Sequence, residues 1–187
     1  MVEATDLRPT AKEQVESLGG KWLDVPMSPE EQARADEAAK NGYGWTPGEQ
    51  YIKDQAAIVD KAVSNADIVI TTALLPGRNA PRLIKAETVA KMKPGSVILD
   101  MAVETGGNVE GSKVGETVFT ENGVKILGVP NIPSTLSTEA SALYARNVFN
   151  FVETLFDADK NFSINPEEEI QKALLVTHGG QVLLKRG

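Results

Sequence analysis

Cysteine is absent from the 187-residue sequence, and histidine occurs once. The first absence excludes disulfides and thiolate metal sites, and with no signal-peptide pattern at Met1 it points to the cytoplasm. The second leaves His178 in the turn HGGQ, a context that reads as an exposed turn residue despite what imidazoles can do. No metal-ligand cluster, Ser-His-Asp set or facing carboxylate pair is visible. Acid–base catalysis by the chain's own side chains therefore has no support, and no metal is expected. No window approaches the ~18 uninterrupted apolar residues of a bilayer span. Cations are in deficit: 19 Lys and Arg against 26 Asp and Glu give a net charge of −7, which disfavours nucleic acid and anionic lipid as partners by repulsion. Internal repeats and low-complexity tracts are missing as well. These absences leave open the binding and positioning of a cofactor that carries its own chemistry.

What is present is an ordinary soluble composition, 41% hydrophobic and 24% charged, in a chain long enough to bury roughly 70% of its unfolded surface. The organising stretch is residues 66–81, ADIVITTALLPGRNAP. Its β-branched run Ile68, Val69, Ile70 predicts a buried parallel strand. The loop that follows, with Thr72, Ala73, Leu74 and Leu75 and closed by Pro76, Gly77 and Pro81, lies where open α/β sheets bind nucleotides. A loop built by Pro and Gly for turning alone has the same composition.

Around this stretch the chain alternates. Val2–Leu7 reads as a strand ending at Asp6, and Thr10 with Glu13 forms a capping box for a helix that Gly19 and Gly20 terminate. Lys21–Val25 is extended. Ser28 and Glu31 repeat the box ahead of an acidic helix that reads as a solvated excursion. Residues 40–48, KNGYGWTPG, carry Tyr43 and Trp45 in a loop, where an aromatic either packs onto the body or serves as a lid. Tyr51, Ile52, Ile58, Val59, Ala62 and Val63 recur at helical spacing and feed the strand at Ile68. A helix at Glu87–Met92, a buried strand at Ser96–Met101, the loop VETGGN from Val103 to Asn108, and a hairpin of Thr117–Phe119 with Val124–Leu127 follow. From Leu136 a helix of about six turns is expected at ~3.6 residues per turn, then a polar linker over 157–169 and a terminal hairpin of Ala173–Thr177 with Val182–Leu184 around the turn HGGQ. The succession predicts an α/β fold with a mostly parallel sheet, a long C-terminal helix and a small terminal hairpin.

Asp6 is the sharpest single residue. In dinucleotide-binding folds an acid ending the second strand, about 20 residues past a glycine fingerprint, accepts hydrogen bonds from the adenosine ribose and selects NAD over NADP. An Asp ahead of a helix is also commonly just solvated or capping. Arg8 either stacks on adenine, contacts phosphate or neutralises Asp6. The fingerprint G-x-G-x-x-G itself is missing: Gly42-x-Gly44 lacks its third glycine, and Gly106-Gly107 opens no helix. If Asp6 ends the second strand, the fingerprint strand would lie upstream of Met1 and the chain reads as N-terminally truncated. Strand order 3-2-1-4-5-6 would then lack its first strand, and Val2–Leu7 is expected to pair with the Ile68 strand or to borrow a strand from another molecule, association being favoured. Weak NADH binding by the isolated chain follows from the missing phosphate turn. Glu104 orients a carboxamide or sits on the surface, and Gly106 and Gly107 permit close backbone approach. Asn131 and Pro133 follow the next strand in the same way. The loops at Asp6, Thr72–Arg78, Val103–Asn108 and Val129–Pro133 are expected along one edge.

Five segments, ATDLRPTAKEQVESLGGK, NGYGW, ADIVITTALLPGRNAPRLI, MKPGSVILDMAVETGGN and ENGVKILGVPNIPS, together resemble the soluble NAD(H)-binding part of the alpha subunit of proton-translocating NAD(P)⁺ transhydrogenase. Alanine dehydrogenase is the related family, with an aspartate where this chain has Glu104 and without the tyrosine-bearing loop that Gly42 and Tyr43 resemble. The resemblance implies a Rossmann-like NAD(H)-binding domain over residues 1–134, a connecting helix over 135–158, and a piece of the family's other domain over 159–187. It implies that Asp6, Leu7 and Arg8 line the adenosine side of NAD(H), that Gly42 and Tyr43 close over it, and that Thr72, Ala73, Leu74, Leu75 and Glu104 border the ribose and nicotinamide. Hydride would pass to NADP(H) on a partner domain, coupled to proton movement through a membrane domain. A homodimer, peripheral on the cytoplasmic face of the inner membrane through partner subunits, is implied too. The alternatives are an alanine dehydrogenase-like oxidoreductase, and a non-catalytic remnant serving as a dimerisation or subunit-binding module.

Overall fold

Apolar β-branched runs separated by helical periodicity produce the expected central sheet. The computed structural model describes residues 1–40, 45–75 and 77–183, and the chain divides into two units, Met1–Pro130 and Asn131–Gly187. The first unit runs β1 (Glu3–Ala4), α1 (Ala11–Ser17), β2 (Lys21–Trp22), α2 (Pro29–Lys40), α3 (Glu49–Asn65), β3 (Ile68–Thr71), α4 (Ala86–Val89), β4 (Val97–Asp100), β5 (Thr117–Phe119) and β6 (Lys125–Leu127). Its main sheet has the order β3-β4-β6-β5, with β3, β4 and β6 parallel and β5 antiparallel at one side. The sheet is mostly parallel, as the sequence predicts.

Strand alternation decides which side of the sheet is covered. Val69, Ile98 and Ile126 stand side by side in register and pack with Val63 of α3 and with Val89 and Met92 around α4. Each fully buried Val, Ile or Met contributes about 1.5–3 kcal/mol by leaving water. The other face begins with Ile68 and Ile70, which are 70% and 60% exposed. The expectation of a buried strand at Ile68 is thus half right: β3 is parallel, but among the described residues it has a neighbour on one side only and no cover over its second face.

A second core holds Val25, Ala35, Trp45 and Tyr51, with Leu7 and Ile58 against it. Its presence corrects one expectation and decides between two alternatives. The acidic helix is no solvated excursion, because Ala35 and Glu31 of α2 are buried. Trp45 is packed down, edge-on to Tyr51 at 4.8 Å. The Ser28–Glu31 capping box forms as read: Glu31 N–H donates to Ser28 Oγ and Ser28 N–H to Glu31 Oε2, both at 3.2 Å. The Thr10 box does not. Thr10 is already in the right-handed helical region with no capping bond, since the chain enters α1 through a turn in which Ala11 N–H donates to Arg8 O. At the far end Gly20 N–H reaches Val15 O and Gly19 N–H reaches Glu16 O, a Schellman closure that needs the φ of +81° Gly19 supplies.

The predicted strand over Val2–Leu7 shrinks to Glu3–Ala4, which pairs in parallel with Lys21–Trp22 and not with β3. Direct pairing with the Ile68 strand is therefore overturned: residues 2–4 spend their ladder bonds on β2, with Lys21 N–H donating to Val2 O and Leu23 N–H to Ala4 O.

In the second unit, α5 (Ser137–Thr154) is 18 residues long, nearer five turns than six. A helix not foreseen, α6 (Glu169–Leu174), starts at the last residue of the predicted polar linker and takes Ala173 and Leu174 out of the predicted first hairpin strand; its Glu168 N-cap accepts from Gln171 N–H at 2.7 Å. The charged run EEE masked this helix because the apolar signal, Ile170, Ala173 and Leu174, is short. The terminal hairpin is present as β7 (Thr177–His178) and β8 (Gln181–Val182), and Leu184 lies outside the described residues. Among the described residues no helix is long and apolar enough to cross a membrane.

Candidate functional site

Because β3, β4 and β6 are parallel, their carboxyl ends share one edge of the sheet, and the loops leaving them meet there. The loop after β3 begins at Thr72 and runs to Arg82, and the loop after β4 runs from Met101 through a short 3-10 turn at Val103–Thr105 to Asn108. Their joint is buried. Asn108 Oδ1 accepts from Ala73 N–H at 3.0 Å, while its Nδ2 donates to Ala73 O at 2.9 Å and to Pro81 O at 2.8 Å. One amide therefore grips both shoulders of the loop after β3. Asp100, the last residue of β4, takes N–H donors from Ala102, Asn108 and Val109 at 3.1–3.2 Å and the Thr71 hydroxyl at 3.3 Å. Outside this buried joint, Arg82 donates to Val109 O and to Gly106 O.

The residues singled out as ligand-facing lie around that joint. Thr72 is exposed, as are Leu74 at 55% and Leu75 at 46%, while Ala73 is the residue held by Asn108. Glu104 is exposed on the 3-10 turn. Gly106 holds φ +97°, and a Cβ there would meet only Asn79, at 4.0 Å, so its backbone is open to a close approach. Asn131 and Pro133 belong to the second unit, where Asn131 has a left-handed φ of 46°. Gly42 and Tyr43 lie outside the described residues.

Asp6 occupies a separate corner past β1. Arg8 closes on it from three directions: its backbone N–H donates to Oδ1 at 2.8 Å, Nε to Oδ1 at 3.1 Å and Nη2 to Oδ2 at 2.7 Å. Partial burial alone would push the Asp6 carboxyl up, but the hydrogen bonds and charge of Arg8 outweigh it and hold the carboxyl below its usual value. Of the alternatives for Arg8, the structure has it neutralising Asp6. Nearby, burial and the negative charges of Glu31 and Asp6 push the Tyr51 phenol up.

Sequence reasoning missed Asp100 and Arg82, and gave Asn108 no role beyond the end of a glycine loop. A signal existed. An aspartate closing the apolar strand SVILD, on the alternation that buries Ile98, demands donors from its surroundings. Among the described residues, recesses elsewhere include one of about 400 Å³ bordered by Ser28, Arg34, Gly48 and Gln50, and one of about 160 Å³ lined by Phe151, Leu155 and Leu174 in the second unit. Neither includes a residue of the sheet edge.

A family model, Alanine dehydrogenase/PNT, C-terminal domain, matches residues 1–185. The chain belongs to this family. It is 45% identical to a NAD(P) transhydrogenase subunit alpha protein of Rhodospirillum rubrum over 184 residues, 98% of this chain and 47% of that protein. Among solved structures it is similar to a transhydrogenase from Sinorhizobium meliloti, with 42% identity, a TM-score of 0.72, and coverage of 97% of this chain and 45% of that one. It also resembles an L-alanine dehydrogenase, with 26% identity, a TM-score of 0.56, and 92% and 46% coverage. The chain thus spans about half the length of these relatives. The mostly parallel sheet, long helix and small hairpin are what family membership leads one to expect.

Proposed function

We propose that the chain forms part of the NAD(H)-holding surface of a transhydrogenase alpha subunit, an oxidoreductase component that works with domains beyond it. The observation that carries this reading is the shared strand edge: the loops after β3 and β4 are locked together there, and the sequence over that edge belongs to a family whose members include transhydrogenase subunits. The residues present fit a dinucleotide. Gly106 leaves backbone uncovered where a ligand would lie, and Asp6 is a carboxyl held in its acceptor form just past a strand. When bound, the dinucleotide supplies the hydride carried on its nicotinamide ring.

The chain's own residues bind and orient. Asp6 accepts the adenosine ribose hydroxyls, and to do so it exchanges the Arg8 guanidinium for the diol. That exchange is cheap, because both partners are solvent-accessible and exposed ion pairs are worth about 0–1 kcal/mol. Leu7 backs the adenosine side from the second core, and Thr72, Ala73, Leu74, Leu75 and Glu104 border the ribose and nicotinamide. Gly42 and Tyr43 complete the cover. NADP(H) sits on a partner domain, proton coupling belongs to a membrane domain, and the working form is a homodimer peripheral to the cytoplasmic face of the membrane.

Alanine dehydrogenase chemistry is the second reading, favoured by the structural likeness at 26% identity and by a family model that takes in alanine dehydrogenases. The test is an assay of the subunit that carries this chain, with its partner subunits. Hydride transfer from NADH to an NADP⁺ analogue without turnover of L-alanine supports the proposal, and NAD⁺-dependent oxidation of L-alanine overturns it.

A further inference from the structure

Three features of the sheet edge converge on Asn108. First, it is fully buried and its side chain bonds to both the N–H and the carbonyl of Ala73, as a neighbouring strand would, with its last donor on Pro81 O. Second, its own main chain is fixed on both sides: its N–H is taken by Asp100, and its carbonyl accepts from Leu83 and Ile84 at 2.9 and 3.0 Å. Third, space for this arrangement is reserved by glycine. Gly107 has φ +77°, and a Cβ there would stand 2.5 Å from Asp100 Oδ2. Only an amide supplies an acceptor toward Ala73 N–H together with two donors toward carbonyls. A carboxylate in its place would face two carbonyl oxygens, and an aliphatic side chain would leave three buried polar groups unpaired.

We propose that Asn108, braced by Asp100, is a positioning residue for the nicotinamide end of the ligand. It fixes the Ala73 peptide so that Thr72–Leu75 and the open backbone of Gly106 face each other at a set distance before the ligand arrives, and the ordering cost of binding is met in advance. Arg82 ties the same two loops from the exposed side, through Val109 O and Gly106 O. This inference rests on the NAD(H) reading above and adds to it which end of the ligand the buried joint serves.

The experiment uses the whole subunit that carries this chain, with Asn108→Asp as the main variant and Arg82→Gln as a second. NADH and 5′-AMP are titrated in parallel at a temperature where melting curves show each protein folded. The wild type must bind NADH; if it does not, the NAD(H) reading itself falls, and this is seen before any variant is compared. Given binding, Asn108→Asp is expected to weaken NADH about tenfold while leaving 5′-AMP unchanged. A variant that is merely less stable would lose affinity for both ligands or for neither, and either of those results overturns the inference. Should Asn108→Asp fail to fold, Arg82→Gln decides, with the same one-sided loss expected at roughly threefold and an unchanged NADH affinity contradicting it.

Discussion

The two places where this chain is read as meeting its ligand are built on different physical terms. The joint after β3 and β4 rests on buried, long-range hydrogen bonds: Asn108 reaches back 35 positions to Ala73, and Asp100 reaches Thr71 across the register of two parallel strands. The corner at Asp6 rests on an exposed pair only two residues apart. A buried network cannot open without leaving unpaired groups, so it sets geometry. A local exposed pair opens at little cost, so it can trade partners. The edge that would border the nicotinamide is thus preformed, and the corner that would take the adenosine ribose is exchangeable.

The largest effect that would break this contrast is expected at Asp100. Asp100→Ala leaves the N–H groups of Ala102, Asn108 and Val109 without their acceptor in a buried site, each costing about 1–3 kcal/mol. Loss of at least about 3 kcal/mol is predicted. Urea unfolding followed by tryptophan fluorescence checks it, since Trp22 and Trp45 both lie in the first unit; a change below about 1 kcal/mol would dissolve the distinction between the two regions. Next is Gly107→Ala, which must displace the Asp100 carboxyl and hold a positive φ. It is expected to cost about 1–3 kcal/mol on the same readout.

On the corner side the effects are smaller. Ser28→Ala removes the cap of α2, beside the core that backs Leu7, and should cost about 1 kcal/mol. Smallest is Arg8→Ala, below about 1 kcal/mol at neutral pH because the pair is exposed. Its pH dependence sharpens the point. The folded Asp6 carboxyl is held below its ordinary value of 3.8, so unfolding takes up a proton in that range and stability rises with pH. The contribution is present above the ordinary value and is lost as pH falls through the lowered one. The stability difference between wild type and Arg8→Ala should therefore shrink on acidification below pH ~4, and a difference that grows there would show that Arg8 acts on something else.

Much of the fold was legible because periodicity reports it directly. The alternation of Val97 to Asp100 and the helical spacing from Tyr51 to Val63 each imposed their element. What was not legible depended on partners distant in sequence. Val2–Leu7 reads as one strand from its ends, yet only Glu3–Ala4 has a neighbour to pair with. Ile68 and Ile70 look like core, and their exposure follows from what covers the sheet, which no local pattern encodes. At the site, loop residues announced themselves through Pro and Gly, whereas Asp100, Asn108 and Arg82 became meaningful only once β3 and β4 lay side by side.

Hydrogen exchange on the intact subunit, with NADH, with NADPH and without nucleotide, tests the central claim most directly. The account predicts that NADH slows exchange in peptides covering Asp6–Arg8 and Thr72–Leu75 and around Gly106, that Asn108 and Val109 are already protected without it, and that NADPH gives none of this protection. Equal protection by both nucleotides, protection confined to other parts of the chain, or fast exchange at Asn108 and Val109 in the free protein would contradict it.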